Sequence, residues 1–334
     1  MDPLGPILFV AHAGAGVGLG HLTRSLVAAR SLTLRLGAQV DFIAVGQRID
    51  ETFIRGFELH FSVAGGHVDL VIDHLLKNRR YAAICLDLSH PSRLESMGAV
   101  LANARKTGSK IVAIDALSGL ERLVDLLYVP SFMPPAYFES VKFQGRMVCG
   151  WDSYLLNVQS YRYTPVHPDS MLVLTGGSDI TQLGREWPEI LDQYLPSSSI
   201  VHWVTGPFSD GPNFPDSSKL KFIEHVAPPS LGTLMQESQA AVTVYGVSFF
   251  ELIAIGVPTV VFSPYGGKDS RELQAIAAER IAMVAKDSRD AAKQAARLMQ
   301  DSNLRCQLSN NARAKLNNFD GEYFAEEIRL LLSA

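Results

Sequence analysis

Residues 7–21 read ILFVAHAGAGVGLGH. An uncharged apolar run from Ile7 to Ala11 meets glycines at 14, 16, 18 and 20, and His21 follows. A short apolar run of this kind reads as a strand, Ile7–Ala13, buried on both faces. Gly14, Gly16 and Gly18 let the chain turn tightly and lie close to another group. Helical spacing then runs from about Gly20 to Leu36, so the turn opens a helix whose first N–H groups are free and positively polarised. A strand, a glycine turn and a helix make the start of a βαβ unit. A Rossmann dinucleotide fingerprint also needs an acidic residue closing the second strand. Here that strand, Gln39–Val45, is followed by Gly46, and Asp41 sits at its start, which disfavours a nicotinamide or flavin cofactor. His21 opens the helix at the carboxyl end of the first strand, where doubly wound sheets bind ligands. A helix N-terminus keeps imidazole neutral and usable as a base. Helix capping is the competing reading.

Outward from this unit, strands continue at Ala82–Leu86, Lys110–Ile114 and Leu126–Val129. Asp87 and Asp115 follow the first two, either contacting a substrate, orienting His21 or capping the next helix. The stretch from Trp151 to Ser170 holds tyrosines, Pro165 and Pro168 without a period and reads as a crossover between domains. A second βα series starts at Met171–Leu174. Ile200–Thr205 and Lys221–Glu224 follow, and Ala240–Val244 and Thr259–Phe262 complete its sheet. Asp287–Asn317 has helical spacing, and Glu322–Leu332 reads as a last amphipathic helix. The expected division is residues 1–160, residues 161–320, and a terminal helix, 321–334, packing back on the first domain.

The chain has 334 residues, 47% hydrophobic and 19% charged, enough for two packed cores. A net charge of −4 provides no field to recruit nucleic acid. Lys77, Arg79 and Arg80 form a tight basic cluster that reads as a solvated helix end. Cys85, Cys149 and Cys306 are far apart without metal spacing, which fits reduced thiols and a cytoplasmic protein. The long uncharged stretch from Ala240 to Gly267 contains Glu251, Pro258 and Pro264 and parses as strand, helix and strand, so no transmembrane segment is expected.

Two further segments carry chemistry. Thr175-Gly176-Gly177-Ser178-Asp179 is a turn from strand to helix, suited to an anion. Tyr245-Gly246-Val247-Ser248-Phe249-Phe250-Glu251 leads into a helix where Glu251 is the sole charge in an apolar run. A buried carboxylate needs a partner. Ribose hydroxyls would supply one; a capping box closed with Ser248 would supply another.

Together, Gly-Leu-Gly-His at 18–21 with Arg24, Gly-Gly-Ser-Asp at 176–179, and Gly-x-Ser-x-x-Glu-x-x-x-x-Gly-x-Pro at 246–258 resemble the GT-B nucleotide-sugar enzymes. The resemblance is nearest to the predicted glycosyltransferases of spore-coat and surface-polysaccharide pathways and the UDP-sugar hydrolase of pseudaminic acid synthesis. It is more distant to the lipid-II-forming N-acetylglucosaminyltransferase. It spans most of the chain, including Gly150-Trp151-Asp152 and Thr205-Gly206-Pro207. It implies an α/β fold of two Rossmann-like, doubly wound domains facing each other across a cleft, the first for the acceptor and the second for the donor. His21 would be the general base or contact the donor phosphates, with Asp87 and Asp115 beside it. Gly18, Gly20, Gly176, Gly177, Ser178, Thr205, Gly206, Gly246, Val247 and Ser248 would surround the nucleotide-sugar. Glu251 would hold the ribose, and the backbone near Val226 would face uracil. Relatives carry Asp-Gln or Asn-Gln after the last strand, whereas this chain reads Gly266-Gly267-Lys268-Asp269, so Asp269 takes the sugar-hydroxyl role. The resemblance implies a UDP-sugar substrate, a sugar or small-molecule acceptor, no separate cofactor and no metal. The activity expected is glycosyl transfer. Alternatives are a UDP-sugar hydrolase, a nucleotide-sugar epimerase or an inactive partner subunit. The hydrolase's Arg-x-Asp-x-Ser element is missing, since Ala11–Ala15 stands there.

Overall fold

The structure, a computed structural model, describes residues 5–14, 17, 19–46, 54, 56–57, 59–63, 67–88, 94–134, 143–158, 160–179 and 181–333. The chain forms two compact units, Met1–Asn157 with Asn318–Ala334, and Val158–Asn317.

The N-terminal unit contains β1 (Ile7–Ala13), α1 (Gly20–Leu36), β2 (Val40–Gly46), β3 (Leu59–Val63), α2 (Val68–Asn78), β4 (Ala83–Asp87), α3 (Leu94–Lys106), β5 (Lys110–Ile114), β6 (Leu126–Tyr128) and β7 (Arg146–Val148). All its strands pair in parallel, in the order β3-β2-β1-β4-β5-β6-β7. Side chains alternate across the sheet. Ile7, Phe9 and Ala11 join a core with Leu22, Leu26 and Leu32 of α1. Leu8 and Val10 join Ile72, Met97 and Leu101 of α2 and α3 on the other face. This two-sided burial is why β1 is apolar at every position from Ile7 to Ala11 rather than at every second one. α1 stops at Gly37, whose φ of 62° closes a left-handed C-cap that a side chain would strain.

The C-terminal unit contains β8 (His167–Leu174), α4 (Trp187–Tyr194), β9 (Ile200–Thr205), β10 (Lys221–Val226), α5 (Gly232–Glu237), β11 (Ser238–Val244), α6 (Val247–Ile255), β12 (Thr259–Phe262), α7 (Ser270–Glu279), β13 (Met283–Val284), α8 (Ser288–Gln300) and α9 (Ser302–Lys315). Its sheet is again parallel, in the order β10-β9-β8-β11-β12-β13. Met171, Val173, Trp187, Trp203, Phe262 and Leu298 pack one side of it. The last helix, α10 (Glu322–Ser333), returns to the N-terminal unit, where Phe324 stacks edge-on to Tyr128 at 4.9 Å. Among the described residues no helix is long and apolar enough to cross a membrane.

Several elements differ from the sequence reading. β3, β7 and β13 are additional strands, so Thr259–Phe262 does not complete the second sheet. β8 begins at His167, inside the stretch read as irregular crossover. The helical stretch Asp287–Asn317 is two helices. Asp287 caps α8 by accepting from the Asp290 amide at 2.7 Å. Asp301 caps α9 by accepting from the Leu304 amide at 2.9 Å, which breaks the helix there.

Candidate active site

In each unit the first four strands and their neighbours stand in the order third, second, first, fourth. Crossovers therefore leave the first and fourth strands in opposite directions, and a crevice opens at their carboxyl ends. In the N-terminal unit these strands are β1 and β4. α1 starts beyond β1, and Asp87 is the last residue of β4.

His21 is the second residue of α1 and does not cap it, for the helix has no side-chain cap. Its Nδ1 lies 2.5 Å from Asp87 Oδ1. Arg24, one turn further along the same helix face, clamps Asp87 in a two-pronged contact. Its Nε donates to Oδ2 and its Nη2 to Oδ1, both at 2.7 Å. Ser25 Oγ donates to Oδ2 at 3.0 Å. Burial alone would raise the Asp87 carboxyl, but the charge and hydrogen bonds of Arg24, helped by His21, outweigh it and hold it at about 2. Asp87 is thus ionised and has no proton to donate. Nδ1 also lies 2.8 Å from Arg24 Nη2, which can only donate, so the tautomer follows the partner that Nδ1 serves: with Nδ1–H donated to the ionised Asp87, the lone pair is on Nε2. The imidazole is 18% exposed while Asp87 is 1% exposed, so the carboxylate is sealed and the ring can be reached. Arg24 also donates to Asp115 Oδ2 at 3.1 Å. Burial opposes the charge of Arg24, yet the two aspartates raise its pKa overall. Asp115 is itself at a positive φ of 71°, just beyond β5, and is the more open of the two carboxylates. Gly20 is the first residue of α1; Gly18 lies outside the described residues.

In the C-terminal unit the central pair is β8 and β11, joined with Leu174 opposite Thr243. Their following turns, 175–178 and 245–248, therefore emerge side by side on one edge. Asp179 shapes the first turn from behind, accepting from the amides of Leu183 at 2.9 Å and Gly184 at 2.8 Å. Gly206 packs onto it: a Cβ there would stand 2.4 Å from the Gly177 carbonyl oxygen and 2.6 Å from that of Gly176. Thr205 donates to Glu224 Oε1 at 2.5 Å. Val226 ends edge strand β10 and is 68% exposed, a free apolar surface beside this edge.

The second turn opens α6. Its N-cap is Gly246, with no side-chain cap. Val247 and Ser248 occupy the first turn, so their amides lack partners within the helix. Ser248 is inside the helix rather than at its N-cap, and the capping box with Glu251 does not form. Among the described residues Glu251 has no hydrogen bond or ion pair. Glu251 is half-buried beside the buried Phe249, Phe250 and Leu252, and the loss of water there pushes its carboxyl up to about 7. Asp269 follows β12 and accepts from Ser263 Oγ at 2.5 Å, which occupies one of its oxygens. Lys268 lies 5.4 Å over the Tyr265 ring.

The structure brings His21, Asp87 and Asp115 together through Arg24. It gathers Gly176, Gly177, Ser178, Thr205 and Gly206 at one turn, and Gly246, Val247, Ser248 and Glu251 at its neighbour. Val226 and Asp269 follow strands on either side of that pair. Sequence reasoning missed what Arg24 does. The signal was present: a cation near the positive end of a helix is out of place unless carboxylates face it.

Neither a family model nor a curated protein matches the chain. Solved structures do. Arabidopsis thaliana UGT89C1 complexed with UDP-L-rhamnose aligns with a TM-score of 0.68 and 14% identity over 98% of this chain and 99% of its own. CalG4, the calicheamicin glycosyltransferase, aligns at 0.60 and 16% over 100% and 99%. A Listeria monocytogenes protein described as a UDP-N-acetylglucosamine 2-epimerase aligns at 0.64 and 11% over 98% and 96%. The two-unit parallel architecture is the GT-B fold.

Proposed function

We propose that this chain is a glycosyltransferase that moves a sugar from a UDP-sugar to a hydroxyl of a sugar or small-molecule acceptor. The observation that carries the reading is the 2.5 Å contact between His21 Nδ1 and the ionised Asp87, which with the proton on Nδ1 leaves the Nε2 lone pair as a base. His21 Nε2 takes the acceptor O–H proton, and the acceptor oxygen bonds to the anomeric carbon. The bond from that carbon to the diphosphate oxygen breaks, and UDP leaves with its electron pair. Asp87 stabilises the imidazolium that forms, as an ionised carboxylate beside a charged ring must. The C-terminal unit holds the nucleotide. Glu251 accepts from the two ribose hydroxyls, which gives its unpartnered carboxylate the donors it lacks. The amides at Val247 and Ser248 and the turn at Gly176–Ser178 receive the diphosphate and stabilise it as it leaves. Val226 carries the uracil, and Asp269 offers its second oxygen to the donor sugar. No metal or separate cofactor enters this scheme. The motifs quoted above favour a surface-polysaccharide enzyme.

The Listeria likeness supports a second reading, epimerisation with UDP still attached, and water in place of the acceptor would give hydrolysis. One incubation separates the three. UDP-sugars are mixed with the protein, with and without a panel of acceptors, and the products are resolved by chromatography. Transfer yields UDP and a glycoside only when acceptor is present. Free sugar in stoichiometric amount without acceptor means hydrolysis, and an isomerised UDP-sugar means epimerisation.

A further inference from the structure

Helix α9 turns an unusual face to a cavity. Ser302, Arg305, Cys306, Ser309, Asn310 and Arg313 recur at the spacing of three and four residues that normally marks an apolar, core-facing stripe. Here that stripe is polar and carries two cations. It forms one wall of a pocket of about 410 Å³ within the C-terminal unit. The opposite wall is rigid and partly apolar, built from Tyr163, Pro165 and Pro168, with Gln239 beside them. Pro168 lies at the start of β8 and Gln239 at the start of β11. The pocket therefore opens at the amino edge of the sheet, away from the turns at the carboxyl edge.

The charges are not neutralised locally. Among the described residues neither arginine has a carboxylate in an ion pair. Arg305 spends Nη1 on the carbonyls of Leu298 at 2.8 Å and Met299 at 2.6 Å. Arg313 spends one bond on Ser309 Oγ at 3.1 Å. Each guanidinium has five N–H donors, so several stay available. Gln239 Oε1 is a buried acceptor without a hydrogen-bond partner. The volume lies within the range of small-molecule sites.

We propose that this pocket binds a small phosphorylated molecule, a phosphate monoester on a hydroxyl-bearing body. Arg313 takes the phosphate, as a guanidinium fork suits its oxygens, and Arg305, two turns away on α9, adds a second positive charge to the wall. The hydroxyl-bearing body rests against Tyr163 and the two prolines. The site does not depend on what the carboxyl edge does, and one experiment keeps the two apart.

The protein is first saturated with UDP, so that any nucleotide site is filled, and glucose 6-phosphate or glucose is titrated calorimetrically. Glucose 6-phosphate is expected to bind saturably and glucose not to bind. Arg313→Gln is the primary variant, because Arg313 bonds only within its own helix, whereas Arg305 also ties down the end of α8. Affinity should fall about 10-fold in Arg313→Gln, the worth of one charge-assisted contact. Cys306 supplies a second readout: it is exposed in the pocket wall, while Cys85 is buried. Bound glucose 6-phosphate should slow alkylation of Cys306 several-fold. Absence of saturable binding overturns the proposal, as does equal affinity in Arg313→Gln or an unchanged rate of Cys306 alkylation at saturating ligand.

Discussion

Two side chains at the candidate site differ in how their charge is fixed. Asp87 is held ionised by Arg24 and stays charged beside His21 through the neutral range. His21→Ala should lower kcat by about 10²–10⁴-fold, the usual worth of a positioned base, without loss of folding. Asp87→Asn should lower kcat comparably, since a neutral amide no longer fixes the tautomer. Initial-rate kinetics on UDP-sugar turnover checks both, and activity within a few-fold of the native protein would reduce His21 to a packed histidine. Glu251 is the opposite case, raised by burial from 4.5 to about 7. Ribose hydroxyls donate to the ionised form, so UDP-glucose affinity should rise as pH goes from about 6 to about 8. Glu251→Gln should flatten that dependence. The sign for stability is reversed. A raised folded-state pKa favours the neutral form, so the contribution of Glu251 is fully present below about 4.5 and is lost as pH rises through about 7. Without ligand, Glu251→Gln should therefore melt higher than the native protein above about pH 7, and the difference should vanish in acid. Both carboxylates were legible as candidates from sequence, Glu251 as a lone charge in an apolar run and Asp87 as a strand-end acid. Their states were not, because the partner that decides Asp87 is Arg24, 63 residues away in the chain.

At the scale of elements, the turns after β9 and β11 use glycine for different reasons. Gly206 is small because the carbonyls of Gly176 and Gly177 press on it. Gly246 has an extended backbone, φ 162° and ψ −168°, and a Cβ there would meet nothing within 4 Å. Gly206→Ala should therefore lower the melting temperature, since overpacking typically costs about 1–3 kcal/mol. Gly246→Ala should leave it unchanged and yet weaken UDP binding, because the open space is where the diphosphate would lie. Thermal melts with and without UDP compare the two; equal behaviour of the variants would remove the distinction. The interior strands were legible because burial on both faces makes them apolar runs. The three strands that escaped the sequence reading, β3, β7 and β13, are all sheet edges. LHFSV, RMV and MV are too short or too half-exposed to show a period.

At the scale of the molecule, each unit owns its core, and the last helix joins the first one. Phe324 and Ile328 of α10 are fully buried among residues of the N-terminal unit. Phe324→Ala should destabilise that unit by about 3–5 kcal/mol, while UDP affinity, resting on the other unit, stays within about two-fold. Scanning calorimetry and titration on the same sample separate the two effects. The most direct measurement is calorimetric titration of UDP into the native protein, His21→Ala and Glu251→Gln at about pH 8. Saturable binding to the native protein, little change in His21→Ala and an affinity about 10–100-fold lower in Glu251→Gln are expected from the loss of charge-assisted bonds to ribose. UDP that does not bind the native protein, or binds Glu251→Gln equally well, would contradict a nucleotide-sugar site at the carboxyl edge of the C-terminal sheet.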